Sequence, residues 1–307
     1  MSVEPFRPTV VVVGAAARDI DPTDPRGWRL GGGVMYGGLA IARLGVPTGV
    51  LVGADAEAVN ATELALLREA GAEVRLIPLD RGPIFINLET PTGRAQTGFS
   101  ASDPVDPAHL PEAWRAAPGW LLAPVADEIP DAWATAIPQD GLVGTAWQGL
   151  LRDIVPGELV HHRSPGPSPI VARSDLIGVG SDDLGDDTRF ADLCRLMRPG
   201  ATLAFTQGAR GGIAVEVGPD RKPASMSRWP GIPPDGIVDA TGAGDVFLAG
   251  LLAARVEPRL AGGHATPRMD FRLGAAMASL VLEGPGLEGV PDRDAIRRRL
   301  VRPTVPH

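Results

Sequence analysis

The sequence predicts an α/β protein built on a mostly parallel sheet, and three observations carry that prediction. Short apolar runs rich in β-branched residues, such as Thr9 to Val13 and Val50 to Val52, end at glycine, as strands buried on both faces of a parallel sheet do. Helical patterns of small and apolar residues alternate with those runs through most of the chain. The 307 residues, 44% hydrophobic and 21% charged, are enough to bury a sizeable core.

The chain in order supports the pattern. Thr9 to Val13 reads as the first strand, closed by Gly14, and Ala15-Ala16-Ala17-Arg18-Asp19 follows at its carboxyl end, where ligands of open α/β sheets collect. Asp19 is therefore a candidate for binding substrate hydroxyls. Next, Gly31-Gly32-Gly33 opens a helix whose small residues permit close packing and which Leu44-Gly45 stops; Tyr36, the only tyrosine, sits in its first turn. Val50 to Gly53 reads as a strand and Ala61 to Ala70 as an amphipathic helix with Gly71 at its C-cap. Val74 to Pro78, Ile84 to Glu89 and Arg94 to Phe99 then read as three consecutive short strands, joined by the turns Asp80-Arg81-Gly82 and Pro91-Thr92-Gly93. They interrupt the alternation and predict a small antiparallel sheet of their own.

Trp120 to Val125 and Gly141 to Thr145 resume the parallel sheet. Gln148 and Arg152 lie past the second strand, where the guanidinium could neutralise phosphate charge. The proline-rich segment 156–169 reads as a loop, and its His161-His162 pair lacks a second ligand cluster, so no metal site is expected there. Asp175 to Gly180 and Ala201 to Thr206 are further strands, followed respectively by Ser181-Asp182-Asp183 and by Gln207-Gly208-Ala209-Arg210-Gly211.

The most informative stretch is Val238 to Gly250. Apolar residues lead into the turn Thr241-Gly242-Ala243-Gly244, Asp245 closes it, and Val246 to Arg255 reads as a helix. Small residues let backbone approach a ligand, and N–H groups at a helix N-terminus favour an anion. A carboxylate beside such an anion can take the proton from an attacking hydroxyl. Phosphate held by backbone, with a base next to it, is the minimal equipment for phosphoryl transfer to an alcohol.

Asp239-x-Thr241-Gly242-Ala243-Gly244-Asp245 resembles the C-terminal signature of the ribokinase/pfkB carbohydrate kinases. Gly32-Gly33 and the helix to Leu44-Gly45 resemble the N-terminal signature, with Tyr36 where the family carries Asn. The resemblance implies a three-layer α/β/α ribokinase-like fold, residues 1–307 as one kinase domain, and a β lid formed mainly by 74–100, with 18–31 contributing. Such a lid would exclude water from the transfer. It implies an ATP- and Mg²⁺-dependent kinase for a hydroxyl of a sugar or polyol, with an inositol-kinase-like subgroup the most similar. A nucleoside kinase, and a sugar- or nucleotide-binding protein that has lost turnover, are the alternatives.

The resemblance also assigns residues. Asp245 is the general base, and Gly242, Ala243 and Gly244 form the anion hole. Asp19, Gly32, Gly33 and Tyr36 hold the acceptor, with Asn87 and Arg94 of the lid and Gln148 and Arg152 beside them. Thr206, Gly208 and Gly211 lie along the nucleotide, as does Thr241, while Ala278 and Gly284 flank the adenine near a K⁺ site. Gly180 and Asp183 stand where the family has Asn-x-x-Glu, so Asp183 would reach Mg²⁺ only through water.

Composition sets the remaining expectations. A net charge of -8 with scattered basic residues excludes a nucleic-acid surface, and the arginines between Arg293 and Arg302 are expected on a solvated helix face. Cys194, the lone cysteine, is expected in the core of a helix, and its solitude fits a reducing cytoplasm. Neither a signal peptide nor a membrane span is apparent. The exposed edge of a lid sheet is where a homodimer would form.

Overall fold

The computed structural model describes residues 4–90, 93–185, 187–261 and 267–302. Along the chain, β1 (Val10–Ala15), β2 (Ala17–Ile20) and β3 (Trp28–Gly31) precede α1 (Gly33–Arg43), β4 (Thr48–Ala54), α2 (Leu64–Glu69) and β5 (Glu73–Pro78). Then come β6 (Ile84–Thr90), β7 (Gly93–Ser100), β8 (Gly119–Leu122), α3 (Trp133–Ala136), β9 (Leu142–Ala146), and three two-residue strands, β10 (Arg152–Asp153), β11 (Glu158–Leu159) and β12 (His161–His162). The C-terminal half holds α4 (Pro169–Arg173), β13 (Leu176–Gly180), α5 (Phe190–Leu196), β14 (Thr202–Thr206), β15 (Gly212–Val217) and β16 (Pro223–Trp229). It closes with α6 (Ala243–Val256), α7 (Pro267–Val281) and α8 (Arg293–Val301).

A nine-stranded sheet in the order β16-β15-β14-β13-β9-β8-β1-β4-β5 forms the middle layer. It is parallel from β5 to β14 and antiparallel only in the β15–β16 hairpin at one edge. The two-residue period of a strand explains the layers. On β1, Val10 and Val12 pack with α1 and α6 on one face, while Val11 and Val13 pack with Trp114, Trp120 and Trp133 on the other. Cys194 is fully buried in a third cluster between α5 and β13–β15, as expected. Among the described residues no helix is long and apolar enough to cross a membrane.

The second sheet is five-stranded, in the order β11-β7-β6-β2-β3. Its pairings are antiparallel except that β2 runs parallel to β6. Three expectations need correction. Residues 74–78 do not join this lid: β5 pairs in parallel with β4 at the edge of the central sheet, so of 74–100 only the part from Ile84 belongs to the lid, beside β2 and β3. Periodicity cannot separate the two placements, because an edge strand of either sheet shows the same alternation. The 156–169 segment is not wholly loop, since Glu158 and Leu159 pair with Gly98 and Thr97 as the lid's edge strand. Two paired residues leave no periodic trace. Arg299, finally, is buried rather than solvated: it faces α7, donating to Ser279 and Glu283.

Candidate functional site

The carboxyl ends of β1, β8, β9, β13 and β14 converge beneath the lid, and the N-terminus of α6 enters the same space. Gly242 takes the left-handed conformation (φ 79°, ψ 0°) that turns the chain into α6, a conformation that strongly favours glycine. Asp239 ties this turn down, its carboxylate accepting the N–H groups of Thr241 (2.8 Å) and Gly286 (3.1 Å). The first-turn N–H groups, Ala243 and Gly244 among them, lack partners within the helix and carry the positive end of its dipole.

Asp245 lies in that first turn, its Oδ1 2.8 Å from where a Cβ on Gly33 would sit. Gly33 must stay bare for the carboxylate to occupy this place. Asp245, Gly244 and Gln148 line two cavities at once. On one side a cavity of about 150 Å³ is lined by Asp19, Gly32, Gly33, Asn87, Arg152 and the 240–244 turn. On the other, one of about 90 Å³ is lined by Gly180, Asp183, Thr206, Phe247 and Leu248. The carboxylate thus stands at the junction of two chambers.

The lid supplies an oriented relay to the first chamber. Gln96 Nε2 donates to Asn87 Oδ1 (2.7 Å), and Asn87 Nδ2 donates to Asp19 Oδ1 (2.7 Å). Each amide thereby fixes its neighbour, leaving Asp19 aimed at the cavity it lines. Phe85, 1% exposed, forms an apolar wall, with the Arg152 guanidinium 6.0 Å from its ring centroid. Arg152 also donates to Gln148 Oε1 (3.3 Å).

Glu128 holds the chamber's walls without lining it. Fully buried, its carboxylate accepts N–H groups from Ala15 (2.9 Å), Val125 (3.0 Å) and Ala126 (2.8 Å), joining the ends of β1 and β8. Burial pushes its pKa up, while those N–H bonds pull it down. On the other side of Asp245, Asp183 accepts the Gly180 N–H (3.1 Å), closing the short turn after β13. Burial raises its pKa too, opposed by Arg152 and His162. A half-buried acid lining this cavity could bind a hydrated divalent cation, which commonly rests on one or two carboxylates plus substrate phosphates. No group of three or more His, Cys, Asp or Glu gathers as a metal cluster among the described residues.

Most sequence-assigned residues therefore come together. Asp19, Gly32, Gly33, Tyr36, Asn87, Gln148, Arg152 and Thr241 to Asp245 share the larger chamber, and Asp183 and Thr206 the smaller. Others do not line either. Gly208 and Gly211 lie in the turn after β14 at φ 57° and 82°, Gly211 pressed against the backbone of Trp229 and Gly231. Ala278 packs against the core from α7, and a Cβ on Gly284 would meet Gly289 Cα at 2.6 Å. Arg94 pairs with Glu89 at the far end of the lid hairpin, and its side chain lies outside the described residues. Phe85, Gln96, Glu128 and Asp239 were not singled out as site residues. For Asp239 the signal was its place in the signature; for Glu128 it was an acid just past a strand's carboxyl end.

Residues 192–293 match the pfkB family of carbohydrate kinases. No curated protein matches the chain in sequence. Among solved structures, the chain is similar to a pyrophosphate-dependent kinase of the ribokinase family complexed with a pyrophosphate analog and myo-inositol (TM-score 0.73, 19% identity, 94% of this chain and 99% of that one). It is similar to Arabidopsis thaliana ribokinase complexed with ribose and ATP (TM-score 0.67, 19% identity, 96% and 99% covered). A nucleoside kinase of Methanocaldococcus jannaschii aligns likewise (TM-score 0.65, 17% identity, 96% and 98% covered). The chain has the ribokinase-type fold over nearly its whole length, and its residues 192–293 are similar to the pfkB family of carbohydrate kinases.

Proposed function

We propose that this protein is a kinase that transfers a phosphoryl group to a hydroxyl of a small sugar or polyol. The observation that carries the reading is the position of Asp245 and Gly244 at the junction of an acceptor chamber and a donor chamber. The acceptor hydroxyl gives its proton to Asp245 as its oxygen bonds to phosphorus, and the bond from phosphorus to the donor's leaving oxygen breaks. The amides of the 242–244 turn stabilise charge on the phosphoryl group in flight. Asp19, held by Asn87, binds acceptor hydroxyls, and Arg152 neutralises phosphate charge. Asp183 would hold Mg²⁺ through water, and the ion would offset charge on the donor phosphates. The family resemblance adds K⁺ beside the turn.

ATP is the donor that the resemblance suggests. Pyrophosphate is a second reading, favoured by the donor chamber itself: about 90 Å³, bounded by Phe247 and Leu248, it suits a phosphate group or two. The similar pyrophosphate-dependent kinase uses a donor of that size. The test is phosphoryl transfer from ATP or from pyrophosphate, with Mg²⁺ and K⁺, to sugars, polyols and nucleosides, beside Asp245→Asn. Turnover on one class with one donor, lost in the variant, is the expected result. Binding of donor and acceptor with no product would instead favour a protein that binds without turnover.

A further inference from the structure

Beyond the 150 Å³ acceptor chamber lies an open cleft of about 900 Å³, lined by Asp21, Arg26, Arg29, Glu63, Leu88 and Glu288 among others. The two share Asp19, Tyr36, Asn87 and Thr241 as common wall. Tyr36 is the large member of that wall. It projects from the first turn of α1, is 3% exposed, and lays its ring against Gly242 so closely that a Cβ there would overlap ring carbons. Its hydroxyl points toward the 285–289 turn, 3.8 Å from where a Gly286 Cβ would be. The ring thus spans from α1 to the anion-binding turn and on to the loop that Asp239 clamps.

The geometry points to Tyr36 as a specificity-determining partition that closes the acceptor chamber around a single neutral polyol ring and excludes acceptors with a second ring; this rests on the kinase reading above. A cavity of about 150 Å³ holds one six-membered ring, whereas sites for larger ligands run to about 300–1,000 Å³. A nucleoside would have to put its base where the Tyr36 ring stands, or reach past it into the outer cleft. Polarity selects in the same direction. Asn87, Gln96 and Gln148 offer amide donors and acceptors suited to hydroxyls, Phe85 offers an apolar face, and the two carboxylates of Asp19 and Asp245 outnumber the one guanidinium of Arg152 against an anionic acceptor.

The experiment compares the wild type with Tyr36→Phe, Tyr36→Leu and Tyr36→Ala. For each, kcat/KM is measured on myo-inositol, ribose and adenosine, and binding of the same three is measured by calorimetry in the Asp245→Asn background. The wild type and Tyr36→Phe are expected to discriminate against adenosine. Tyr36→Ala is expected to raise the adenosine-to-single-ring ratio by at least about tenfold, the scale on which pocket size discriminates. Wild-type enzyme that uses adenosine as well as single-ring acceptors would overturn the partition. So would an unchanged ratio in a folded Tyr36→Ala, or in Tyr36→Leu should the alanine variant not fold. If no acceptor is phosphorylated by any form, the kinase reading fails, and the binding ratios still decide the partition.

Discussion

The two chambers on either side of Asp245 are built differently. The acceptor side is assembled from side chains: a lid relay from Gln96 through Asn87 to Asp19, a tyrosine wall, and a buried glutamate bracing two strand ends. The proposed donor side is lined by the ends of β13 and β14 and the first turns of α6, with glycines at 178, 180 and 244, an apolar wall of Phe247 and Leu248, and Asp183 as the acid it does not share. A phosphate needs only N–H groups and positive charge, which strand ends and a helix terminus provide regardless of side chain. A polyol must be distinguished hydroxyl by hydroxyl, and only positioned side chains do that. Substitutions on the acceptor side should therefore move acceptor KM, and those on the donor side donor KM.

The largest expected effect lies at the junction itself. Asp245→Asn should lower kcat by about 10²–10⁴ while leaving both binding affinities nearly unchanged, because it removes the proposed base and keeps the amides. Single-turnover kinetics with separate binding titrations would show it, and wild-type turnover would sink the mechanism. Next is Glu128→Ala, which strips the acceptor from the buried N–H groups of Ala15, Val125 and Ala126. Each orphaned donor costs about 1–3 kcal/mol, so a large fall in urea midpoint is expected. An unchanged midpoint would show that the acceptor walls need no brace.

Asn87→Ala breaks the relay at its middle. Loss of a hydrogen bond worth about 0.5–1.5 kcal/mol should raise acceptor KM up to roughly tenfold and leave donor KM alone. A change in donor KM instead would dissolve the division between the chambers. Asp183 offers the smallest and most sign-dependent test. Its folded pKa lies above the ordinary 3.8, so between those values the folded state binds more protons than the unfolded one, and stability falls as pH rises through that window. Asp183→Asn should therefore match wild type at acid pH and exceed it slightly at neutral pH, while weakening donor binding. Denaturant midpoints across a pH series would check it, and a variant less stable at neutral pH would reverse the assignment of burial as the dominant influence.

What could be read from the chain alone follows the range of the forces involved. Thr9 to Val13 and Ala201 to Thr206 announce buried strands because side-chain alternation and β-branching act locally, and Gly242-Ala243-Gly244-Asp245 announces its chemistry because turn, helix start and acid are neighbours in sequence. The parallel sheet and the turn into α6 with Asp245 in its first turn were legible for that reason. Tertiary structure alone decided that 74–78 belongs to the central sheet, that Glu158 and Leu159 edge the lid, and that Gln96 stands behind Asn87. It also decided that the ring of Tyr36 rests on Gly242, from the other end of the chain, the contact on which the proposed size selection depends. Such contacts depend on register and on which elements meet, and neither leaves a periodic mark in the residues that make them.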